Sequence, residues 1–186
     1  MTELPPVTLV LGGVRSGKSR HAEMLVESQP GACIYLATAE AGDAEMAERI
    51  ARHRARRGPR WETVEEPLER AAALSETAGP GRAVLVDCLT LWLTNLLAAA
   101  RDPAAETARL VDCLATLTGP VVLVSNEVGL GVVPDNALAR AFIDHAGHLH
   151  QAVGGVAQSV RLMAAGQVVH VKTPAAGTGG SGEAAP

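Results

Sequence analysis

The segment GGVRSGKS, residues Gly12 to Ser19, has the residue types and spacing of a loop that binds phosphate. Its glycines let the backbone curl so that N–H groups face an anion, and a helix beginning near Gly17 would add its positive end. In such a loop Lys18 reaches the β- and γ-phosphates, and the Ser19 hydroxyl binds Mg²⁺. The predicted nucleotide-binding residues here are Gly12, Gly13, Val14, Arg15, Ser16, Gly17, Lys18 and Ser19.

Two acidic residues follow apolar runs that read as strands. Asp87 ends AVLVD, the position at which a Walker B carboxylate holds Mg²⁺, so Ser19 and Asp87 form the predicted metal site. Asp87 could instead cap the following helix, with Thr90 as a competitor for that role. Glu127 ends VVLVSNE and could position water, metal or substrate, so its role stays open.

A basic strip surrounds His53, with six of the sixteen basic residues between positions 49 and 60. One helix face, at spacing i, i+3, i+4, i+7, would carry Arg49, Arg52, His53 and Arg56. Glutamates one helical turn earlier allow a plain interpretation, in which part of the strip is surface ion pairing. The alternative is a nucleophile on a phosphate-handling helix. Neighbouring cations favour neutral imidazole, which can attack phosphorus while arginines stabilise the phosphoryl oxygens.

Other potential metal ligands form no convincing set. His145, His148 and His150 have the spacing i, i+3, i+5, which places only the first two on one helix face. No cysteine or carboxylate cluster completes a shell around them, so we predict solvated histidines on a helix. The three cysteines are odd in number and far apart, which fits neither a disulfide framework nor a zinc site and suits a reducing cytoplasm.

Composition narrows the class of protein. The chain has 186 residues, a net charge of −4 and only 2% aromatic residues, so the core must be built from Ala, Val, Leu and Ile. Few aromatic side chains and an acidic balance argue against a module that binds single-stranded nucleic acid. The N-terminal apolar run lacks a basic flank and is too short for a signal peptide or a spanning helix. We expect a cytoplasmic protein without a membrane anchor.

Short apolar runs alternate with helical patterns along the chain. Strands are predicted at Val7–Gly12, Cys33–Thr38, WETVE, Ala83–Cys88, Pro120–Glu127 and QVVHVK. Helices are predicted in KSRHAEMLVES, residues 43–57, PLERAAALSETAG from Pro67, LTLWLTNLLAAAR, AAETARLVDCLATL and residues 136–166, with a weak point at Gly154–Gly155. This alternation predicts one α/β domain over residues 1–173, with a mostly parallel sheet, helices on both faces and a ligand at the carboxyl ends of the strands. Residues 174–186 should be a disordered tail.

Six segments together carry a family resemblance: LGGVRSGKSRHAE, YLAT, RIARHRARRGPRW, VEEP, DCLTLWLTNLL and VLVSNEVGLGVVPDNALARAFIDHAGHLHQ. In this order they resemble the bifunctional adenosylcobinamide kinase/adenosylcobinamide-phosphate guanylyltransferases of cobalamin biosynthesis, over residues 7–172. The resemblance implies a RecA-like P-loop fold and a homotrimer. It also implies two reactions, in which a nucleoside triphosphate (ATP or GTP) phosphorylates adenosylcobinamide and GMP from GTP then joins that phosphate, giving adenosylcobinamide-GDP and pyrophosphate.

The resemblance also assigns roles to residues. His53 matches the family's guanylylated histidine and, with Lys18, is a predicted catalytic residue. Further nucleotide-binding positions carried over from the family are Thr38, Ala39, Glu40, Arg54, Ala55, Arg56 and Arg57. Glu65 and Asp87 match acidic positions associated with guanine or metal. His150 stands where the family often has Asn, so contacts with the substrate there stay open.

Two other functions compete with this interpretation. A plain P-loop kinase would transfer only the γ-phosphoryl group and would never form a covalent nucleotide adduct. A RecA-like module for single-stranded nucleic acid would need a basic groove and aromatic stacking platforms, which the composition disfavours.

Overall fold

The computed structural model describes residues 4–38 and 57–174. The strands are β1 (Val7–Gly12), β2 (Ala32–Ala37), β3 (Trp61–Glu65), β4 (Arg82–Asp87), β5 (Val121–Asn126), β6 (Ser159–Ala164) and β7 (Gln167–Lys172). The helices within these residues are α1 (Lys18–Glu27), α2 (Arg70–Thr77), α3 (Leu89–Ala98), α4 (Pro103–Leu114) and α5 (Ala137–Val156). No helix in this part of the chain combines the length and apolarity needed to cross a membrane. The helix predicted over residues 43–57 and the predicted tail fall almost wholly outside the described residues.

The strands form one sheet in the order β3-β2-β4-β5-β1-β6-β7. Every neighbouring pair is parallel except β6 and β7, which are antiparallel. The central strands read as continuous apolar runs because helices cover both of their faces. The predicted single α/β domain with a mostly parallel sheet is confirmed.

Two apolar cores lie on opposite faces of the sheet, because successive strand residues point to opposite sides. One core contains Leu9, Ile34 and Leu123 and is covered by residues of α2, α3, α4 and α5. The other contains Val10 and Tyr35 and is covered by α1. With so few aromatic residues, branched aliphatic side chains fill most of both cores.

The C-terminal region differs from the predicted long helix over residues 136–166. Helix α5 ends at Val156, shortly after the glycine pair, and residues 159–164 form β6 instead. Glycine weakens a helix interior, which favours an end of α5 near the glycine pair. The residues of β6 then pair in parallel with β1. Gln158 fixes this register, because its backbone N–H donates to Val7 O at 3.0 Å and its side-chain oxygen accepts from Val7 N at 2.9 Å.

Helix α2 also begins later than predicted, at Arg70 rather than Pro67. The Glu66 carboxylate accepts hydrogen bonds from the N–H groups of Leu68 and Glu69, which holds these residues in a turn. The Arg70 side chain is buried and donates to Glu66 O at 2.6 Å. Burial lowers the pKa of Arg70 to about 10, so the guanidinium stays charged and ties the turn to the helix.

The junction before β2 generates a prediction about stability. Gly31 has φ of +90°, and a Cβ there would overlap the carbonyl oxygen of Gly81, which accepts the first hydrogen bond of β2 from Ala32 N. Gly31→Ala should lower the free energy of unfolding by about 2 kcal/mol or more, from backbone strain and the clash. Gly155→Ala is the matched control, since it meets open space in α5 and should raise that free energy by about 0.5 kcal/mol. Equal urea midpoints for the two variants would contradict the prediction.

Candidate functional site

The strand register brings the predicted acidic residues to the same edge of the sheet as the glycine-rich loop. Glu65 pairs with Ala37, and Ala37 pairs with Asp87 on the next strand. Gly12 pairs with Asn126 of β5, which lies between β4 and β1. Since neighbouring strands lie about 4.8 Å apart, the strand ends that carry Asp87 and Gly12 are close neighbours. This is the edge at which such sheets bind ligands.

The loop between β1 and α1 has the features of a phosphate cradle. Lys18 Nζ donates to Gly13 O at 3.1 Å, which holds the ammonium over the loop. Gly17 has φ of 94°, no side chain caps the first turn of α1, and no acidic residue lies in that turn. The backbone N–H groups there are therefore presented to an anion. Gly13, Val14, Arg15 and Gly17 are exposed, Ser19 is half-buried, and Gly12, Ser16 and Lys18 are buried.

The antiparallel β6–β7 pair contacts this loop through Met163 and Gly166. A Cβ at Gly12 would lie 2.5 Å from Ser16 Oγ and 2.8 Å from Met163 O, so only glycine fits. Gly166 N donates to Ser16 O at 3.2 Å. The Ser16 hydroxyl is buried without a hydrogen-bond partner among the described residues. Sequence reasoning missed Met163 and Gly166 because their segment had been assigned to a helix.

Two side chains donate hydrogen bonds to Asp87: Tyr35 in β2 and Thr38, the residue that follows β2. Tyr35 OH donates to Asp87 Oδ2 at 3.2 Å, and burial, followed by the nearby carboxylate, raises the pKa of Tyr35 so that the phenol stays protonated. Thr38 Oγ1 donates to Asp87 O at 2.9 Å and accepts from Cys88 N at 2.8 Å. Thr38 is 1% exposed, so its side chain fixes the end of β4, while its predicted contact with nucleotide stays a prediction.

The helix-cap alternative for Asp87 has no support in the geometry. Helix α3 begins after Cys88, and no side chain caps its first turn. Burial, followed by the nearby Asp87 carboxylate, raises the pKa of the Cys88 thiol. The strand register places Asp87 and the phosphate loop at the same edge of the sheet, on either side of β5.

The available ligands fit magnesium better than a fully protein-coordinated metal. Ser19 and Asp87 supply a hydroxyl and a carboxylate oxygen. Within residues 4–38 and 57–174, no three His, Cys, Asp or Glu side chains group as a metal site. Mg²⁺ characteristically uses one or two protein oxygens and completes its shell with phosphates and water. The predicted pair therefore suits Mg²⁺ bound together with a nucleotide.

Arg57 connects the basic strip to the phosphate site. Its guanidinium carbon lies 3.4 Å from the centre of the Tyr35 ring and 6.0 Å from that of Trp61, the range of a cation–π contact. The two rings meet edge to face, 6.4 Å apart. One arginine of the strip thus contacts the residue whose hydroxyl holds Asp87, whereas Arg60 donates to the carbonyl groups of Gln29 and Gly31. Ala39, Glu40, His53, Arg54, Ala55 and Arg56 lie outside the described residues, and Glu65 is exposed at the end of β3.

The three C-terminal histidines differ from one another in environment. His148 is exposed and His145 half-buried, whereas His150 Nε2 lies 2.7 Å from Ser125 Oγ. Burial lowers the pKa of His150, with Glu127 acting weakly in the opposite direction. The prediction of solvated histidines is therefore wrong for His150, because α5 packs on β5 at this turn. The three cysteines are free, as predicted.

Tyr35→Phe tests whether the phenol orients Asp87. The variant keeps the ring under Arg57 and removes only the hydrogen bond to the carboxylate, so Mg²⁺ should bind less well. We expect the Mg²⁺ concentration that half-saturates binding of a fluorescent GTP analogue to rise by about tenfold, as for other residues that orient metal ligands. Trp61→Phe is the control, since it removes a hydrogen bond to Glu27 instead. An unchanged Mg²⁺ requirement in Tyr35→Phe would show that Asp87 is oriented without it.

Comparison with solved structures supports the fold. A structure from Pyrococcus horikoshii superposes with a TM-score of 0.53 at 10% identity, covering 92% of this chain and 88% of that one. An ATPase from a bacterial type III secretion system superposes with a TM-score of 0.54 at 10% identity, covering 87% of this chain and 51% of that one. At such identities the likeness concerns fold alone, and it confirms the predicted RecA-like P-loop architecture.

Sequence comparison identifies the family. A family model described as cobinamide kinase / cobinamide phosphate guanyltransferase matches residues 8–171. The bifunctional adenosylcobalamin biosynthesis protein CobP of Pseudomonas aeruginosa is 53% identical over 167 residues, which cover 88% of this chain and 96% of that protein. The corresponding CobU protein of Escherichia coli is 38% identical over 179 residues, covering 88% and 98%. These matches, to a chain with a phosphate loop and a carboxylate held at the same edge of the sheet, show that it belongs to the cobinamide kinase / cobinamide phosphate guanylyltransferase family of enzymes.

Proposed function

We propose that this chain phosphorylates the hydroxyl arm of adenosylcobinamide with ATP or GTP. It then transfers GMP from GTP to that phosphate through a GMP adduct on His53, giving adenosylcobinamide-GDP and pyrophosphate. The observation that carries the proposal is Arg57 over the Tyr35 ring, because Tyr35 also holds Asp87 beside the phosphate loop. Arg57 follows the segment that carries His53, and its side chain contacts the residue that holds Asp87.

The first reaction relies on positioning. The curled loop and the start of α1 hold the triphosphate, and Lys18 places a positive charge where the β- and γ-phosphates would lie. Ser19 and Asp87 would hold Mg²⁺, which when bound neutralises charge on the phosphate oxygens. Because Lys18 is buried, its charge acts with little screening from solvent.

The second reaction relies on a nucleophile. Neutral imidazole of His53 attacks the α-phosphorus of GTP, a P–N bond forms, and pyrophosphate leaves. A phosphate oxygen of the acceptor then attacks the same phosphorus, the P–N bond breaks, and the histidine is released. Arginines of the strip, among them Arg54, Arg56 and Arg57, stabilise the charge that develops on the phosphoryl oxygens.

We also propose a homotrimer in the cytoplasm, as the family resemblance implies. Strand β7 lies at one edge of the sheet and carries Val169 and Val171, which are 50% and 63% exposed. An apolar edge strand of this kind is usually covered by another surface.

Lys18→Ala tests the phosphate loop. Removing the buried ammonium should lower turnover of the nucleotide by about 100-fold or more, as for other lost charge-stabilising donors. Lys172→Ala is the control, because that exposed lysine only donates to carbonyl groups near the end of α5. Steady-state phosphate transfer measures the effect, and near wild-type turnover in Lys18→Ala would refute the assignment.

His53→Ala tests the covalent step. Incubation with GTP and Mg²⁺, without acceptor, should add one GMP to the wild-type chain, measured by intact mass. The adduct should be labile in acid and stable in alkali, and its formation should decline as pH falls through the histidine pKa, since only neutral imidazole attacks.

The variant should lose the adduct and the guanylyl transfer while keeping most of the phosphorylation. His170→Ala, on the exposed face of β7, is the matched control and should keep the adduct. A wild-type chain that phosphorylates the acceptor yet forms no adduct would leave a plain P-loop kinase as the function.

A further inference from the structure

We propose that the cavity between the end of β5 and α5 binds the hydroxyl arm of the acceptor, and that Glu127 takes the proton from that hydroxyl. The inference rests on the proposed kinase function and assigns its acceptor side. His150 is a positioning residue that sets the wall of the cavity. Family membership, the nucleotide loop and the histidine adduct do not require any of these assignments.

The position of Glu127 is the first argument. Its backbone N–H donates to Gly12 O at 3.0 Å, which places it directly beside the first residue of the phosphate loop. Strand β5, which ends one residue earlier, lies between β1 and β4 in the sheet. A group there lies between the phosphate loop and the strand that carries Asp87, where the γ-phosphate of a bound nucleotide would be approached.

The cavity itself is the second argument. It has a volume of about 410 Å³, which suits a small polar arm of a ligand and is too small for a corrin ring. Five of its nine lining residues carry polar side chains: Glu127, Asp144, His148, His150 and Gln151. A larger cavity of about 860 Å³ lies at the opposite edge of the sheet, near Pro6 and Pro120, far from the phosphate loop.

The conformation of the Glu127 carboxylate is the third argument. Its Oε1 accepts from Gly129 N at 2.6 Å, so the side chain folds back over its own turn. A Cβ at residue 129 would lie 3.1 Å from that oxygen, a tight contact. Among the described residues, no hydrogen bond engages Oε2. One oxygen is thus fixed by the backbone, and the other can accept a proton.

His150 orients this corner of the site. Its Nε2 lies 2.7 Å from the hydroxyl of Ser125, which is fully buried two residues before Glu127. This contact ties α5 to β5 at the cavity wall. Burial lowers the pKa of His150, so its ring stays neutral near pH 7 and does not neutralise Glu127 by forming an ion pair.

The step balances as an ordinary phosphoryl transfer. The acceptor oxygen attacks the γ-phosphorus, the bond between that phosphorus and the β–γ bridging oxygen breaks, and the nucleoside diphosphate leaves. The hydroxyl proton passes to Glu127 Oε2 and then to solvent. Glu127 therefore begins and ends each cycle as a carboxylate.

Glu127→Gln is the main test. It keeps the shape and the hydrogen bond to Gly129 but removes the proton acceptor, so the rate of phosphorylation of the acceptor should fall by about 100-fold or more. Affinity for a fluorescent ATP analogue and the yield of GMP adduct should stay within twofold of wild type. Glu76→Gln, on the exposed surface of α2, is the matched control and should change none of these.

The outcomes separate this inference from the proposed function. A wild-type chain that never phosphorylates adenosylcobinamide would refute the function itself. A wild-type chain that does so, together with an unimpaired Glu127→Gln, would refute the acceptor site alone. If Glu127→Gln loses nucleotide affinity as well as transfer, Glu127 belongs to the nucleotide site and the acceptor assignment is overturned.

His150 is tested with two variants. His150→Ala should raise KM for the acceptor by about fivefold, the effect of one lost hydrogen bond, with a smaller change in kcat. His150→Asn can still pair with Ser125 and should restore most of the acceptor KM. A general loss of folding in His150→Ala would lower kcat and nucleotide affinity together without rescue by Asn, and that pattern would refute the positioning role.

Discussion

The hydrogen bond between the Tyr35 hydroxyl and Asp87 is the contact on which the rest of the site depends. It joins a buried ring in one apolar core to the carboxylate that ends β4, at the edge of the sheet that carries the phosphate loop. The face of the same ring carries the Arg57 guanidinium. One side chain therefore uses its polar atom for the metal side of the site and its π-face for the arginine side. A phenylalanine could supply only the second of these interactions.

Several candidate functional residues can meet at one edge of the sheet because all of its central strands run in one direction. Each strand ends at the same edge, so residues distant in sequence reach one site without long loops. The phosphate loop follows β1, Asp87 ends β4, and Glu127 follows β5. The edge thereby offers nucleotide binding on one side of β5 and, in our proposal, acceptor binding between β5 and α5.

Much of this arrangement could be predicted from the sequence, for identifiable physical reasons. Strands β1, β2, β4 and β5 were predicted to within one residue because buried parallel strands are continuous apolar runs. The phosphate loop was predicted because its glycines and lysine have fixed spacing. By contrast, β6 was assigned to a helix, since SVRLMA alternates weakly and becomes a strand through its pairing with β1 and β7. The burial of His150 was also missed, because it depends on how closely α5 packs against Ser125.

The contact between the β6–β7 pair and the phosphate loop links nucleotide binding to the end of the chain. Gly12 and Ser16 contact Met163 and Gly166, so the docked C-terminal hairpin supports the curl of the loop. A ligand that prefers the curled loop must then also favour the docked hairpin, by thermodynamic linkage. The amides of β7 should therefore exchange with solvent more slowly when nucleotide is bound, although β7 lies at the outer edge of the sheet and supplies no residue to the phosphate loop.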